Sequence, residues 1–416
     1  MANKCLTKIF FVCTIFKIFW GVLMNNVALY KCDSYEYAVV YDAVKASIDA
    51  LGGIKSFVKP GQLVVLKVNL VIKFAPERAA TTHPTVVGAV ARLCKEAGAR
   101  VVVADSAGGP FNEKYMGAIY NTTGIAAASE KYGFEITTDY ASFNAKCDKA
   151  KVAKEFEIMN ILQQADVVIN LCKLKSHSFT GITNAVKNMF GAIPGLQKVQ
   201  MHGKYQTLDN FSNMLFDIWE YFKGKLAFSL SDAVVGMEGE GPTNGNPRKI
   251  GAVMASVNPV ALDVVAARIM NVDPCTIPTI SAGIDRGYLK DINDLTVVGD
   301  NLEGFVLKDF DKRVPNMYTP FSTNVPKWFQ PVLHKLTTQR PSIRKHKCLG
   351  CGTCARHCPV GAITMTEAKN GKKYAKFDYT KCIRCFCCQE LCPFGVVKVK
   401  TGIIYRILKR KPKKQK

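Results

Sequence analysis

Residues 25–311 predict an α/β fold built on a doubly wound, mostly parallel sheet, and a small α+β unit rich in cysteine follows. Three observations carry this. Apolar runs of strand length alternate with helical patterns across that span. The runs are almost continuously apolar, which suits strands covered on both faces. Nine of the sixteen cysteines fall between Cys348 and Cys392, so the chain changes character near its end.

In chain order, NNVALYKCDS reads as a first strand. LVVLKVNL (63–70), VVVAD (101–105), DVVINL (166–171), LAFSLSD (226–232), IGAVMASV (250–257) and LTVVGD (295–300) are expected to be buried strands. The helices between them include 84–99, 207–222 and 259–270, and Pro84 and Pro259 sit where a first helical turn tolerates proline. Strict alternation implies parallel strands joined by crossover helices, with ligands beyond the carboxyl ends of the strands. Residues 312–345 carry several prolines without periodicity and read as a linker. A compact unit is expected over 346–400 and a basic tail over 401–416.

Residues 1–24 form an apolar extension. The run Ile9–Met24 is interrupted by Lys17 and is shorter than the roughly 20 apolar residues of a spanning helix. The expectation is that Met24 starts the protein proper; a membrane anchor through residues 9–24 and a cleaved signal are the less favoured alternatives.

The net charge of +23 points to an acidic partner, an anionic ligand or a membrane surface, and says nothing of fold. No aromatic-interleaved basic helix or nucleic-acid module stands in the chain, so nucleic acid is not expected. Clustered cysteines argue for metal ligation in a reducing, cytoplasmic setting, because a disulfide framework would spread them.

CLGCGTCARHCP from Cys348 and CIRCFCCQELCP from Cys382 are an internal repeat of C-x2-C-x2-C-x3-C-P. Three thiolates at this spacing wrap one iron–sulfur cluster, and the fourth, before proline, ligates the other. Cys348, Cys351, Cys354 and Cys392 are therefore assigned to one [4Fe–4S] cluster, and Cys382, Cys385, Cys388 and Cys358 to a second. Asn370-Gly371 between the halves predicts a hairpin. Cys387 is an extra thiol, either an alternative ligand or a bystander. Arg356, His357, Lys381 and Arg384 stand near the clusters, as potential-raising charges, an acidic-partner surface or a solvated rim. Residues 346–400 resemble a bacterial two-cluster ferredoxin, which implies an α+β ferredoxin-type domain and one-electron transfer.

The second candidate region is KLKSHSFTGITNAVKNMFG, Lys173–Gly191, at the expected end of a strand. ITNAVKNMFG reads as an amphipathic helix. No Asp or Glu occurs from Val167 to Leu208. Lys173, Lys175, His177, Lys187, Lys198, His202 and Lys204 fall in that span, a pattern suited to phosphate or carboxylate. The alternative is a solvated helix face with surface lysines. Other strand ends add Asn69, His83, Asp105 and Ser106, and Asn184 and Asn188 join them as candidate ligand contacts. SDAVVGMEGEGPTNGNPR adds Glu238 and Glu240, read as half of a mixed acid–base or metal site, or simply as part of a turn.

The set KVNL, THP, DSAGG, KLKSHSFTGITNAVKN, GMEGEGPTNGNP and NPVALD resembles the domain of unknown function 362 family, over about residues 25–400. The resemblance implies an iron–sulfur protein and leaves its reaction open. More distantly, Lys173–His202 is similar in layout to the N-terminal domain of nickel-pincer lactate racemases. By that resemblance His177 is an acid/base, Lys187 tethers a pyridinium-derived cofactor and His202 ligates nickel; the further histidine of that family has no counterpart in DSAGG. The expected function is thus two [4Fe–4S] clusters exchanging electrons with a small anionic ligand or second cofactor on the α/β domain. The expected partners are a redox protein or a small anionic substrate. A ferredoxin-like carrier without turnover and a nickel-pincer isomerase are the alternatives.

Overall fold

The structure, a computed structural model, describes residues 25–313, 315, 339–368 and 370–400. The expectations for residues 1–24, for the basic tail and for most of the linker fall outside them. Among the described residues, no helix is long and apolar enough to cross a membrane.

A nine-stranded sheet organises residues 26–299. Its strands are β1 (Asn26–Lys31), β2 (Leu63–Lys67), β3 (Arg100–Ala104), β4 (Glu135–Ile136), β7 (Val167–His177), β8 (Gly181–Thr183), β9 (Leu226–Glu238), β10 (Asn246–Ser256) and β11 (Thr296–Gly299). The strands between, β5 (Ser142–Lys146) and β6 (Glu155–Met159), form a separate antiparallel hairpin. The order is β11-β1-β10-β9-β7-β2-β3-β4, with β8 folded against β7. Pairings β2 with β3, β2 with β7, β3 with β4, β7 with β9 and β1 with β11 are parallel.

β10 departs from the expected parallel order and is antiparallel to both β9 and β1. Only residues 239–245 join β9 to β10, and so short a link makes a hairpin, whereas a parallel return needs a dozen residues or more. β7 also runs further than its apolar core, to His177, and every one of its residues is buried. The expected helix 182–191 is instead β8, a single helical turn Ala185–Asn188 and a 3₁₀ turn Met189–Ala192.

The sheet separates two cores. Val168, Cys172 and Leu174 of β7 pack into one, with the helices Leu208–Phe222 and Pro259–Ile269. Ile169 and Leu171 enter the other, with the helices Tyr37–Asp49 and Pro84–Glu96. That alternation is the period of two of a strand. Pro84 and Pro259 open their helices as expected, capped by His83 and Asn258.

The cysteine-rich unit begins earlier than residue 346: Arg340–Ile343 pairs antiparallel with Val397–Lys400 and ties its two ends together. Ile363–Glu367 and Lys373–Phe377 form the expected hairpin, with Gly371 at φ +75° in its turn.

On the outer face of the first core, Asp217 accepts the backbone N–H groups of Lys151, Val152 and Ala153 at 2.9, 2.9 and 2.7 Å and pairs with Arg286 at 2.7 Å. Its carboxylate is fully buried, so Asp217→Ala strands a buried guanidinium and three donors. Denaturant unfolding is expected to show a loss of about 3–5 kcal/mol, with a smaller loss for Asp217→Asn.

Candidate functional site

From β2 the chain steps to β3 and β4 on one side, and later from β7 to β9 on the other. The switch point therefore lies between β2 and β7, where an open α/β sheet leaves a crevice. Lys67 ends β2, Asn69 follows it, Asp105 and Ser106 follow β3, and Lys175 lies near the end of β7. All five line one cavity of about 770 Å³, part of it open to solvent.

Lys67 donates to Asp105 Oδ1 and to the Val68 carbonyl, both at 2.6 Å, in a fully buried pair. Asp105 Oδ2 also accepts the Leu70 N–H at 2.5 Å. Gly191 lies against this pair: a Cβ there would stand 2.3 Å from Asp105 Oδ1 and 2.4 Å from Lys67 Nζ, so no side chain fits. Lys175 is completely buried and has only neutral acceptors, Asn69 Oδ1 at 2.9 Å and the Ala80 carbonyl at 2.7 Å. Burial, then Lys187 and Lys173, push its amine well below the usual lysine range. Asn69 in turn donates to Asn188, which donates to Asn170. Lys198 donates to Ser106 O, Ser106 Oγ and Ile193 O at 2.8–2.9 Å, and burial brings its amine down to about 7.

The segment after β7 supplies the second wall. Lys187 lies 5.6 Å from the Phe190 ring centre and makes no hydrogen bond or ion pair among the described residues. Burial lowers its pKa, against the pull of Glu390 and Cys387. His202 stacks on Phe211 at 4.4 Å, with Phe179 and Phe190 edge-on. Its Nδ1 is buried without a hydrogen-bond partner, as is Thr183 Oγ1 on the same cavity. Burial holds the His202 imidazole down to about 3, so the ring is neutral at pH 7. Asp263 fixes this wall by accepting the N–H groups of Ala185 and Val186 at 2.8 and 3.3 Å, at the turn that carries Lys187.

The cysteine-rich unit supplies the third wall. Cys387, Glu390 and Leu391 line the same cavity. Glu390 Oε1 stands 3.2 Å from His177 Nε2, at an angle short of a formed hydrogen bond. His177 Nδ1 accepts the N–H groups of Phe179 and Thr180 at 3.0 and 3.2 Å, so the neutral ring carries its hydrogen on Nε2, toward Glu390. Burial, then Lys187, hold His177 down to about 4. Burial opposes ionisation of Glu390, but His177 and Lys187 outweigh it and keep the carboxyl below its usual range. The pair at pH 7 is carboxylate and neutral imidazole.

This docking is what the glycine-rich loop after β9 does. Asn244 donates to Gln389 O at 2.9 Å, Gln389 donates to Glu240 O at 2.8 Å and Thr243 donates to Glu390 O at 3.3 Å. Glu240 pairs with Lys398 at 2.9 Å, and Glu238 accepts the Asp311 N–H at 3.1 Å. Glu240 thus serves the join between units, Glu238 holds the chain at Asp311, and neither lines the cavity. His83 stands apart as well, stacked on Tyr35 at 3.5 Å, beside a buried pair of Lys173 and Asp232 at 2.8 Å. Lys173 and Asp232 are direct cross-strand neighbours of β7 and β9, and neither lines the cavity. Asn184 is turned inward to Ser231 and Cys172.

Of the sequence-chosen residues, then, Asn69, Asp105, Ser106, Lys175, Lys187, Asn188 and His202 share the cavity, and His177 reaches it through Glu390. Lys67 and Glu390 were missed. A lysine ending an apolar strand signals Lys67; Glu390 carries no local signal beyond being an acid among basic neighbours.

One of the two expected cysteine sets shares a single concavity. Cys348, Cys351, Cys354 and Cys392 line one concavity of about 330 Å³. Burial, then Cys392, Cys351 and Cys348, push the Cys354 thiol up to about 11. Cys388 is raised by burial, then by Cys385, Cys382, Cys354 and Cys358. Four crowded thiols of this kind suit a cluster that takes them as thiolates. The repeat shows in the backbone too: Gly350 and Gly352 have φ of +68° and +73°, and their counterparts Arg384 and Phe386 have +58° and +62°.

Residues 64–268 match a domain of unknown function (DUF362), and residues 347–396 match a 4Fe-4S dicluster domain. The thylakoid-associated protein sll1697 of Synechocystis sp. is 33% identical over 312 residues, covering 73% of this chain and 92% of that protein. The lactate racemase apoprotein of Thermoanaerobacterium thermosaccharolyticum is 14% identical at a TM-score of 0.36, over 57% of this chain and 55% of that one. A protein from Thermotoga maritima is 14% identical at 0.30, over 52% of this chain and 55% of that one. The chain thus spans about half the length of these solved structures.

Asp263 gives the site a pH signature. Burial raises its carboxyl to about 7, against about 3.9 unfolded. The raised folded value means its contribution to stability is complete below pH 4 and lost as pH rises to 7. Asp263→Asn has no such titration, so its stability relative to wild type is expected to climb between pH 4 and 7, by up to about 4 kcal/mol. Denaturation midpoints across that range read the difference.

Proposed function

We propose that this chain, which belongs to the DUF362 family and carries a C-terminal 4Fe-4S dicluster domain, is an oxidoreductase of a reducing compartment. It exchanges electrons between two [4Fe–4S] clusters and a small dianionic ligand in the switch-point cavity. The observation that carries this is the helix Cys387–Glu390, whose Cys387 and Glu390 line the cavity on either side of the cluster cysteine Cys388. Two clusters, held by Cys348, Cys351, Cys354 and Cys392 and by Cys382, Cys385, Cys388 and Cys358, supply one-electron storage at low potential.

The charge of the ligand follows from the lining. Lys67, Lys175, Lys187 and Lys198 face two carboxylates, Asp105 and Glu390, and the histidines are neutral. An unmatched buried charge is costly and is avoided by losing protons. A ligand with two negative charges, a phosphate monoester or dicarboxylate, balances the set and restores the protons. Lys187, whose amine makes no hydrogen bond or ion pair among the described residues, is the primary contact. Lys198, titrating at about 7, can give or take a proton at neutral pH. Glu390 orients the His177 Nε2–H, and the aromatic sleeve around His202 keeps water out.

A second reading rests on one observation: Lys187 and His202 line the same cavity, with His177 behind its Glu390. In a nickel-pincer isomerase Lys187 would tether the cofactor, His202 would ligate nickel, and His177 would move the proton.

Holoprotein purified without oxygen is expected to hold about eight irons per chain and no nickel. Inorganic phosphate and oxalate should bind above chloride, shift the midpoint potential of one cluster, and take up protons on binding between pH 7 and 8. Their affinity should fall as pH rises above 7, because Lys198 then loses its proton, and Lys187→Gln should weaken it at least tenfold, about 1.4 kcal/mol. Dianions that bind no better than chloride, or that leave both potentials unmoved, would overturn the reading. Nickel near one per chain with a modified Lys187 would select the second.

A further inference from the structure

The two cysteine sets have different neighbours. Cys388 lies between buried Cys387 and Gln389, behind the wall of the switch-point cavity. Cys351 of the other set is exposed, and the concavity it shares with Cys348, Cys354 and Cys392 is rimmed by Leu349 and Phe394, which are 64% and 48% exposed. These are among the few large apolar side chains left in water, and both stand next to cluster cysteines or their prolines.

The charge of this unit is one-sided. Residues 344–400 hold twelve Lys and Arg against Glu367, Asp378 and Glu390, and Glu390 faces the inner cavity. Lys345 and Lys347, just before Cys348, are exposed, and Arg356 reaches back to the Cys351 carbonyl at 2.9 Å. A small apolar contact ringed by charge of one sign is the form of a transient electron-transfer interface, in which charge steers the encounter and contact area stays low.

We infer that this face docks an acidic one-electron carrier protein over Leu349 and Phe394. The inference rests on the reading of the cavity as a redox site, and it adds a direction. A cluster held by Cys348, Cys351, Cys354 and Cys392 would take one electron per encounter from the reduced carrier, which is oxidised by one, and a cluster held by Cys382, Cys385, Cys388 and Cys358 would receive it in turn. A carrier is favoured over an anionic membrane because the apolar pair rims a concavity over the cysteines and does not protrude from a flat face.

The test mixes anaerobic holoprotein with a reduced, acidic plant-type [2Fe–2S] ferredoxin in stopped flow and follows oxidation of the ferredoxin. The rate constant is expected to fall about tenfold or more between low and moderate salt, and similarly in Lys345→Glu/Lys347→Glu and in Phe394→Ser. Iron content and reduction by dithionite should stay unchanged, which separates lost docking from lost clusters. A basic cytochrome c should exchange slowly. Loss of phosphate binding with a salt-sensitive carrier rate intact would fail the cavity reading alone, so failure of that reading and failure of this one are distinguishable. Rates insensitive to salt and to all these substitutions would overturn the inference. So would binding to phosphatidylglycerol vesicles that the substitutions abolish while the carrier rate persists.

Discussion

Four lysines around one cavity are the constraint on which the rest of the structure depends. Lys175 is buried without an acid partner and Lys67 is buried with one. Such groups are tolerated only where every donor has an acceptor or where the charge can leave. The asparagine chain Asn69, Asn188 and Asn170, the carbonyls of Val68 and Ala80, and the absent side chain at Gly191 all serve that requirement. The arrangement is only completed by Glu390, which comes from the other unit and brings the second carboxylate.

That contact turns two units into one site. The glycine-rich loop between β9 and β10 holds the helix Cys387–Glu390 by three hydrogen bonds, and Gly203 packs closely on Pro359, where a Cβ would lie 3.0 Å from its ring. A cysteine-rich unit that only carried electrons between partners would have no need to place Glu390 against a buried histidine. Cys387 and Glu390, which flank the cysteine Cys388, line the cavity, whereas Cys351 is exposed.

Much of this was legible in the sequence, for reasons that differ by element. Long apolar strands and proline-opened helices are local patterns, and the cysteine repeat is a local pattern with chemistry attached. The direction of β10 was misread because apolar character says nothing of strand polarity; the short loop before it was the better clue. The loop SDAVVGMEGEGPTNGNPR contacts the second unit and its glutamates do not line the cavity; a glycine loop that docks a second unit looks the same in sequence as one that binds a ligand. His83 was drawn from its place before a helix, and it caps that helix. The pairing of Glu390 with His177 joins distant parts of the chain, and no local periodicity encodes it.

The central claim is that the ligand and the inner cluster share one wall. It is tested most directly by electron–nuclear double resonance at phosphorus-31 on the reduced holoprotein with inorganic phosphate bound. The account predicts a phosphorus coupling on one of the two cluster signals, absent from the other. Phosphate bound by calorimetry, with no phosphorus coupling on either signal, would contradict it.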